Sequence, residues 1–118
     1  MNINNNLISK MVDTITYTRE SVCQGDDYVN RPIEISLPDD SVLEDLVNKI
    51  LNTRIGNYSG IAYTGGQNRW ALESNIGIIA YVCDDGIRNE YPKWDRQTPL
   101  KDLGITNVHG RNCGRPWE

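Results

Sequence analysis

Phenylalanine is absent from these 118 residues, and histidine, methionine and cysteine are scarce at one, two and three copies. Any core must therefore be filled by Ile, Leu, Val, Tyr and Trp. The cysteines, Cys23, Cys83 and Cys113, are odd in number and far apart. That spacing suits free thiols in a reducing compartment better than a disulfide framework, and it leaves room for at most one bridge. No stretch of about 18 apolar residues occurs, so no membrane-spanning helix is expected. Met1-Asn-Ile-Asn-Asn-Asn has neither a basic start nor an apolar run behind it, so no signal peptide is read there and a cytoplasmic protein is expected. The same stretch has little to bury, and residues 1–6 are expected to form a flexible arm.

An excess of positive charge is also lacking. The formal net charge is −4, with nine acids against five bases in residues 1–60 and seven of each in residues 61–118. Bulk charge thus argues against a nucleic-acid or anionic-membrane partner and favours a basic protein through steering. The length suits one domain, residues 1–118, large enough for a two-layer core.

The stretch around which the chain is organised runs from Pro32 to Asn52. Ile33, Ile35 and Leu37 alternate with Glu34 and Ser36, the period of a half-buried strand, and Pro38 ends it. Ser41 followed by Glu44 fits a capping box, which predicts a helix starting at Val42. Val42, Leu43, Leu46, Val47, Ile50 and Leu51 then form one wide apolar stripe, opposite a wet face of Glu44, Asp45, Asn48 and Lys49. A lone helix in a small domain covers its own sheet.

Elsewhere the pattern is mostly β. Thr14-Ile-Thr-Tyr-Thr predicts a first strand running towards Val22, and residues 24–32 a loop joining it to the second. Ile61-Ala-Tyr-Thr, Gly65-Gly66 and Arg69-Trp-Ala-Leu-Glu-Ser predict a hairpin turning at the glycine pair. Ile76-Gly-Ile-Ile-Ala-Tyr-Val-Cys is apolar throughout, as expected of the middle strand of the sheet. Pro99-Leu-Lys-Asp-Leu-Gly-Ile predicts one helical turn with a left-handed cap at Gly104, dropping Leu100, Leu103 and Ile105 onto the core.

Leu37-Pro-Asp-Asp-Ser-Val-Leu-Glu-Asp-Leu and Thr98-Pro-Leu-Lys-Asp-Leu-Gly-Ile together resemble the ubiquitin-like β-grasp family, and the Thr98–Ile105 stretch is similar to that family's turn before its final strand. The resemblance spans roughly residues 14–110. It implies a helix packed on a mixed sheet. Conjugated modifiers of the family end in Gly-Gly, whereas this sequence ends Gly114-Arg-Pro-Trp-Glu, so conjugation is not expected. The family's ferredoxins hold an iron–sulfur cluster on clustered cysteines, a spacing missing here.

The acidic pairs Asp26-Asp27, Asp39-Asp40 and Asp84-Asp85 lack the regularly spaced oxygen ligands of a cation loop and sit where turns use Asp for local hydrogen bonds. His109 lies four residues before Cys113 in a Gly-rich tail that fixes no geometry for a Cys–His nucleophile or a zinc site. Arg88, Lys93, Arg96, Lys101, Arg111 and Arg115 are interspersed with acids, which weakens an RNA-binding reading. Trp94 and Trp117 lie in Pro-containing loops, where an aromatic either lids its own core or anchors a partner.

The sequence thus predicts a single α+β domain, a mixed sheet of about five strands with one main helix packed on one face. The expected role is a non-enzymatic interaction module, an acidic inhibitor or immunity-type protein that binds a basic protein. Asp26, Asp27, Asp39, Asp40, Glu44, Asp45 and Trp94 are its candidate partner-binding residues. No catalytic residue, metal or cofactor is expected. Two alternatives stand beside it: a ubiquitin-like scaffold or adaptor, and a small enzyme or metal binder built on His109 and the cysteines.

Overall fold

A computed structural model of the chain describes residues 14–20, 32–55, 58–64 and 66–116. The expected N-terminal arm, the 24–31 part of the first loop, Cys23, Asp26, Asp27 and Trp117 lie outside the described residues.

Among the described residues, eight strands, one α-helix and one 3-10 turn follow in order: β1 (Ile15–Arg19), β2 (Ile33–Ile35), α1 (Leu43–Leu51), β3 (Arg54–Ile55), β4 (Tyr58–Ser59), β5 (Asn68–Ser74), β6 (Gly77–Cys83), β7 (Asn89–Glu90), the 3-10 turn (Leu100–Asp102) and β8 (Asn107–Pro116). Six of the strands form a mixed sheet in the order β2-β1-β8-β5-β6-β7, and β3 with β4 makes a separate small ladder. Among the described strands only β1 and β8 run parallel, with Thr16 opposite Asn107 and Thr18 opposite His109; the other pairs are antiparallel. The sixth strand is the two-residue β7 at the edge.

Alternation decides which face of β1 is covered. Ile15, Tyr17 and Arg19 are buried on one side, while Thr16 and Thr18 point the other way, half-exposed. Trp70 and Leu72 on β5, Ala80 and Val82 on β6, and Val108 on β8 join the buried side. Leu43, Leu46, Val47 and Ile50 of α1, all fully buried, close that layer, so the apolar stripe is the core face as its spacing required.

The helix begins one residue later than Ser41 and Glu44 suggested. Val42 is the N-cap, with an extended φ of −110°, and the Asp45 carboxylate accepts its backbone N–H at 2.8 Å. The first orphan donors of α1 are met by main chain: Leu43 N–H bonds Thr98 O and Glu44 N–H bonds Arg96 O, both at 2.9 Å. The 95–100 segment thus caps the helix, and Leu100 N–H returns a bond to Ser41 O.

Three other expectations need correction. Residues 61–64 are not a strand: the hairpin pairs β5 with β6 and turns at Asn75-Ile76, and Gly66 with φ +93° lies in the preceding loop. The apolar 76–83 run is the strand second from the edge, not the middle one. A bulge between Leu72 and Glu73 makes Ile79 and Ala80 consecutive buried residues, which is why the run does not alternate. The Gly-rich tail, expected to position nothing rigidly, is the ten-residue β8 at the sheet's centre. A Cβ at Gly110 would run into the Tyr17 hydroxyl, so only glycine lets β8 lie against β1 there. The Pro99–Gly104 turn forms as read: Gly104 takes φ +70°, Leu100 and Ile105 are buried, and Leu103 packs partly buried against the core.

Candidate functional site

The described residues predicted to meet a partner gather at the N-terminal end of α1. Asp39 and Asp40 occupy the turn that Ser41 N–H closes onto Pro38 O at 3.0 Å, and Glu44 and Asp45 follow in the first helical turn. Asp45 is committed to the Val42 N–H. Glu44 accepts a bond from the Gln97 amide at 3.3 Å and lies 3.8 Å from Arg96, an ion pair open enough to water to contribute little. Asp40 and Asp45 line a shallow groove of about 500 Å³ over Leu37 and Pro38.

Trp94 reaches this end of the molecule through its loop. The segment that offers Arg96 O and Thr98 O to the helix start also carries Trp94, which is half-buried against the core with the Lys93 ammonium 5.8 Å from its ring centroid. Tyr91 in the same loop has its hydroxyl pKa raised, by burial first and then by the Glu44 carboxylate, which places that phenol within the field of the acidic end. Sequence spacing could not have joined the two stretches, since the link is main-chain bonding across about 50 residues.

A second acidic cluster has a different use. Cys83, Asp84 and Asp85 bring three ligand atoms within 4.8 Å of one another. The Asp84 carboxylate is already occupied: one oxygen accepts from Thr64 N–H at 2.6 Å, the Thr64 hydroxyl at 2.8 Å and Gly66 N–H at 3.2 Å, and the other from Asn68 N–H at 3.3 Å. Asp85 accepts the Ile87 N–H at 3.0 Å, which is the main reason its carboxyl is held below the usual range. Burial pushes the Cys83 thiol up, against the thiolate that a soft metal would need. Asp84 is thus the knot of the 64–68 loop, a role missed in the sequence because its partners lie 16 to 20 residues away.

His109 and Cys113 do not form a pair. Both lie on β8, where four residues of extended chain separate them by roughly 13 Å. The imidazole Nδ1 instead meets the Thr18 hydroxyl across the β1–β8 ladder at 2.8 Å. Cys83 and Cys113 are free thiols. The sheet face away from α1 is polar and internally matched. Arg111 bonds Glu73 at 2.8 Å, Arg69 bonds Glu90 at 3.0 Å and stacks 4.1 Å from the Tyr81 centroid, and Thr16 bonds Glu34.

No helix among the described residues is long and apolar enough to cross a membrane. Comparison of the chain with protein families, with curated proteins and with solved structures found no match in any of the three.

Proposed function

We propose that the chain is a non-enzymatic, β-grasp-like interaction module of the inhibitor or immunity type, which binds a basic protein partner in the cytoplasm through the acidic end of its helix. The observation that carries the reading is the convergence of Asp39, Asp40, Glu44 and Asp45 with the Trp94 loop at one end of α1. Over residues 38–45 and 91–102 there are six acids and three bases, so this end carries most of the formal charge of −4. A negative patch beside a half-buried aromatic suits a partner that brings lysine or arginine, because charge guides the encounter and an aromatic anchors it. The β-grasp part of the reading is supported by a parallel β1–β8 pair inside the sheet and by a helix that follows the β1–β2 hairpin.

The test is capture on the immobilised chain and on its Asp39→Lys/Asp40→Lys variant. A basic protein held by the parent and lost from the variant supports the proposal. An acidic partner, or one retained equally by both, overturns it. A second reading, the ubiquitin-like adaptor, is favoured by the sheet face that α1 leaves uncovered, on which Glu73, Arg111, Arg69 and Tyr81 stand.

A further inference from the structure

The groove of about 500 Å³ over Leu37 and Pro38 has a second wall, because Asp45, Asn48, Lys49 and Asn52 line it along one flank of α1. These four helix residues are exposed, as is Pro38. From Asp45 to Asn52 the flank runs about 10 Å at the helical rise. The strand register brings the chain's own N-terminal segment to this groove. Tyr17 pairs with Ile33, Thr16 with Glu34 and Ile15 with Ile35, antiparallel, so the chain enters β1 at the end of the sheet where it leaves β2. Continued three residues beyond Ile15–Ile35, the same register sets Val12 opposite Pro38. Pro38 does stand in a β-bridge. Among the described residues the isolated bridge joins Val42 to Pro99, so the partner of Pro38 lies outside them.

The sequence of that segment supplies something to dock. Leu7, Ile8, Met11 and Val12 recur at one- and four-residue steps, a narrow apolar stripe at the helical period, with Ser9 and Lys10 off it. Reach is no obstacle. From Val12 back to Leu7 the chain covers about 8 Å as a helix and at most about 18 Å extended, against about 10 Å of flank. The base of the segment, Lys10, comes to a groove that carries Asp40 and Asp45 against one Lys49, which is a complementary balance. Tethered directly to β1, the segment is present at an effective concentration of about millimolar, which favours it over a second copy of the chain. We infer that residues 7–12 dock in this groove as an intramolecular cover, Val12 bridged to Pro38 and Leu7, Ile8 and Met11 facing Leu37 and the flank of α1. Docked there, the segment shields Asp40 and Asp45 from one side. The docking itself does not rest on the partner reading above.

The test is NOE spectroscopy on the isotope-labelled full chain. The methyls of Leu7 and Met11 should give cross-peaks to the Leu37 methyls and to the Lys49 side chain, at a strength unchanged by dilution. The Leu7→Ser/Ile8→Ser/Met11→Ser variant should lose them and shift the amides of Leu37, Asn48 and Asn52. Amides of β5 and β6, which do not line the groove, should keep their positions and so report that the variant is folded. Parent cross-peaks that lead to another surface, or to none, would overturn the inference. Cross-peaks found only between labelled and unlabelled copies in a mixed sample would overturn it too, in favour of a second copy as the occupant. So would groove amides that the triple substitution leaves unmoved.

Discussion

Two buried polar side chains carry the clearest consequences at the scale of single residues. Asp84 draws Thr64, Gly66 and Asn68 onto one carboxylate, so Asp84→Ala strands several inward-facing donors at once. Unsatisfied buried donors cost about 1–3 kcal/mol each, and with partial rescue by water the variant should lose about 2–3 kcal/mol, read as a lowered urea midpoint. An unchanged midpoint would mean that the 64–68 loop does not depend on Asp84. If Asp84 serves the loop rather than an ion, metal analysis of the purified chain should find no stoichiometric zinc or iron.

Tyr17 gives the pH dependence. Burial first, and then neighbouring Tyr58, raise its hydroxyl far above the ordinary range, with Arg19 pulling the other way. The folded chain therefore holds this proton more tightly than the unfolded chain. The stabilisation is complete below the ordinary tyrosine pKa of about 10 and is lost as the pH rises above it. The hydroxyl also donates to Gly60 O at 2.5 Å. Tyr17→Phe should cost about 1 kcal/mol near neutral pH. Its urea midpoint should then fall less steeply than the parent's between about pH 9 and about pH 12. Parallel alkaline slopes for the two proteins would contradict this.

Among the elements, α1 was the most legible, because its stripe repeats at the helical period and the core residues Leu43, Leu46, Val47 and Ile50 carry the repeat. Leu46→Asp would bury an unpaired charge in the helix–sheet layer and should unfold the domain; native circular dichroism and melting would refute the packing. The cap was misplaced by one residue because Ser41 and Glu44 fit the local pattern, whereas tertiary bonds from Arg96 O and Thr98 O set the start and moved the reach-back role to Asp45. Asp45→Ala should accordingly lower stability by about 0.5–1 kcal/mol. Strand β8 was not legible at all: between Asn107 and Gly114 only Val108 is a core aliphatic, and two glycines sit where a strand signal needs side chains. It is a strand because its backbone is shared by β1 and β5, and because Gly110 leaves room for Tyr17. Such non-local demands leave no periodic trace in a single sequence.

For the whole molecule, the α+β class and a helix packed on a mixed sheet followed from the order of patterns, while the pairing order did not, since parallel β1–β8 contact joins residues about 90 apart. The proposed partner surface was legible as charge but not as a place: the acids of residues 39–45 are close in sequence, whereas their neighbourhood with Trp94 exists only once the 95–100 segment has docked on α1. The central claim is that this end recruits a basic partner by its field. Its most direct test is the association rate of the captured partner with the parent chain and with Asp39→Lys/Asp40→Lys, measured across a salt series. The account predicts that the parent's rate falls steeply as ionic strength rises and the screening length shrinks below about 8 Å. It also predicts that the variant associates about tenfold or more slowly at low salt, with a melting temperature close to the parent's. An association rate indifferent to both salt and the charge reversal would contradict it.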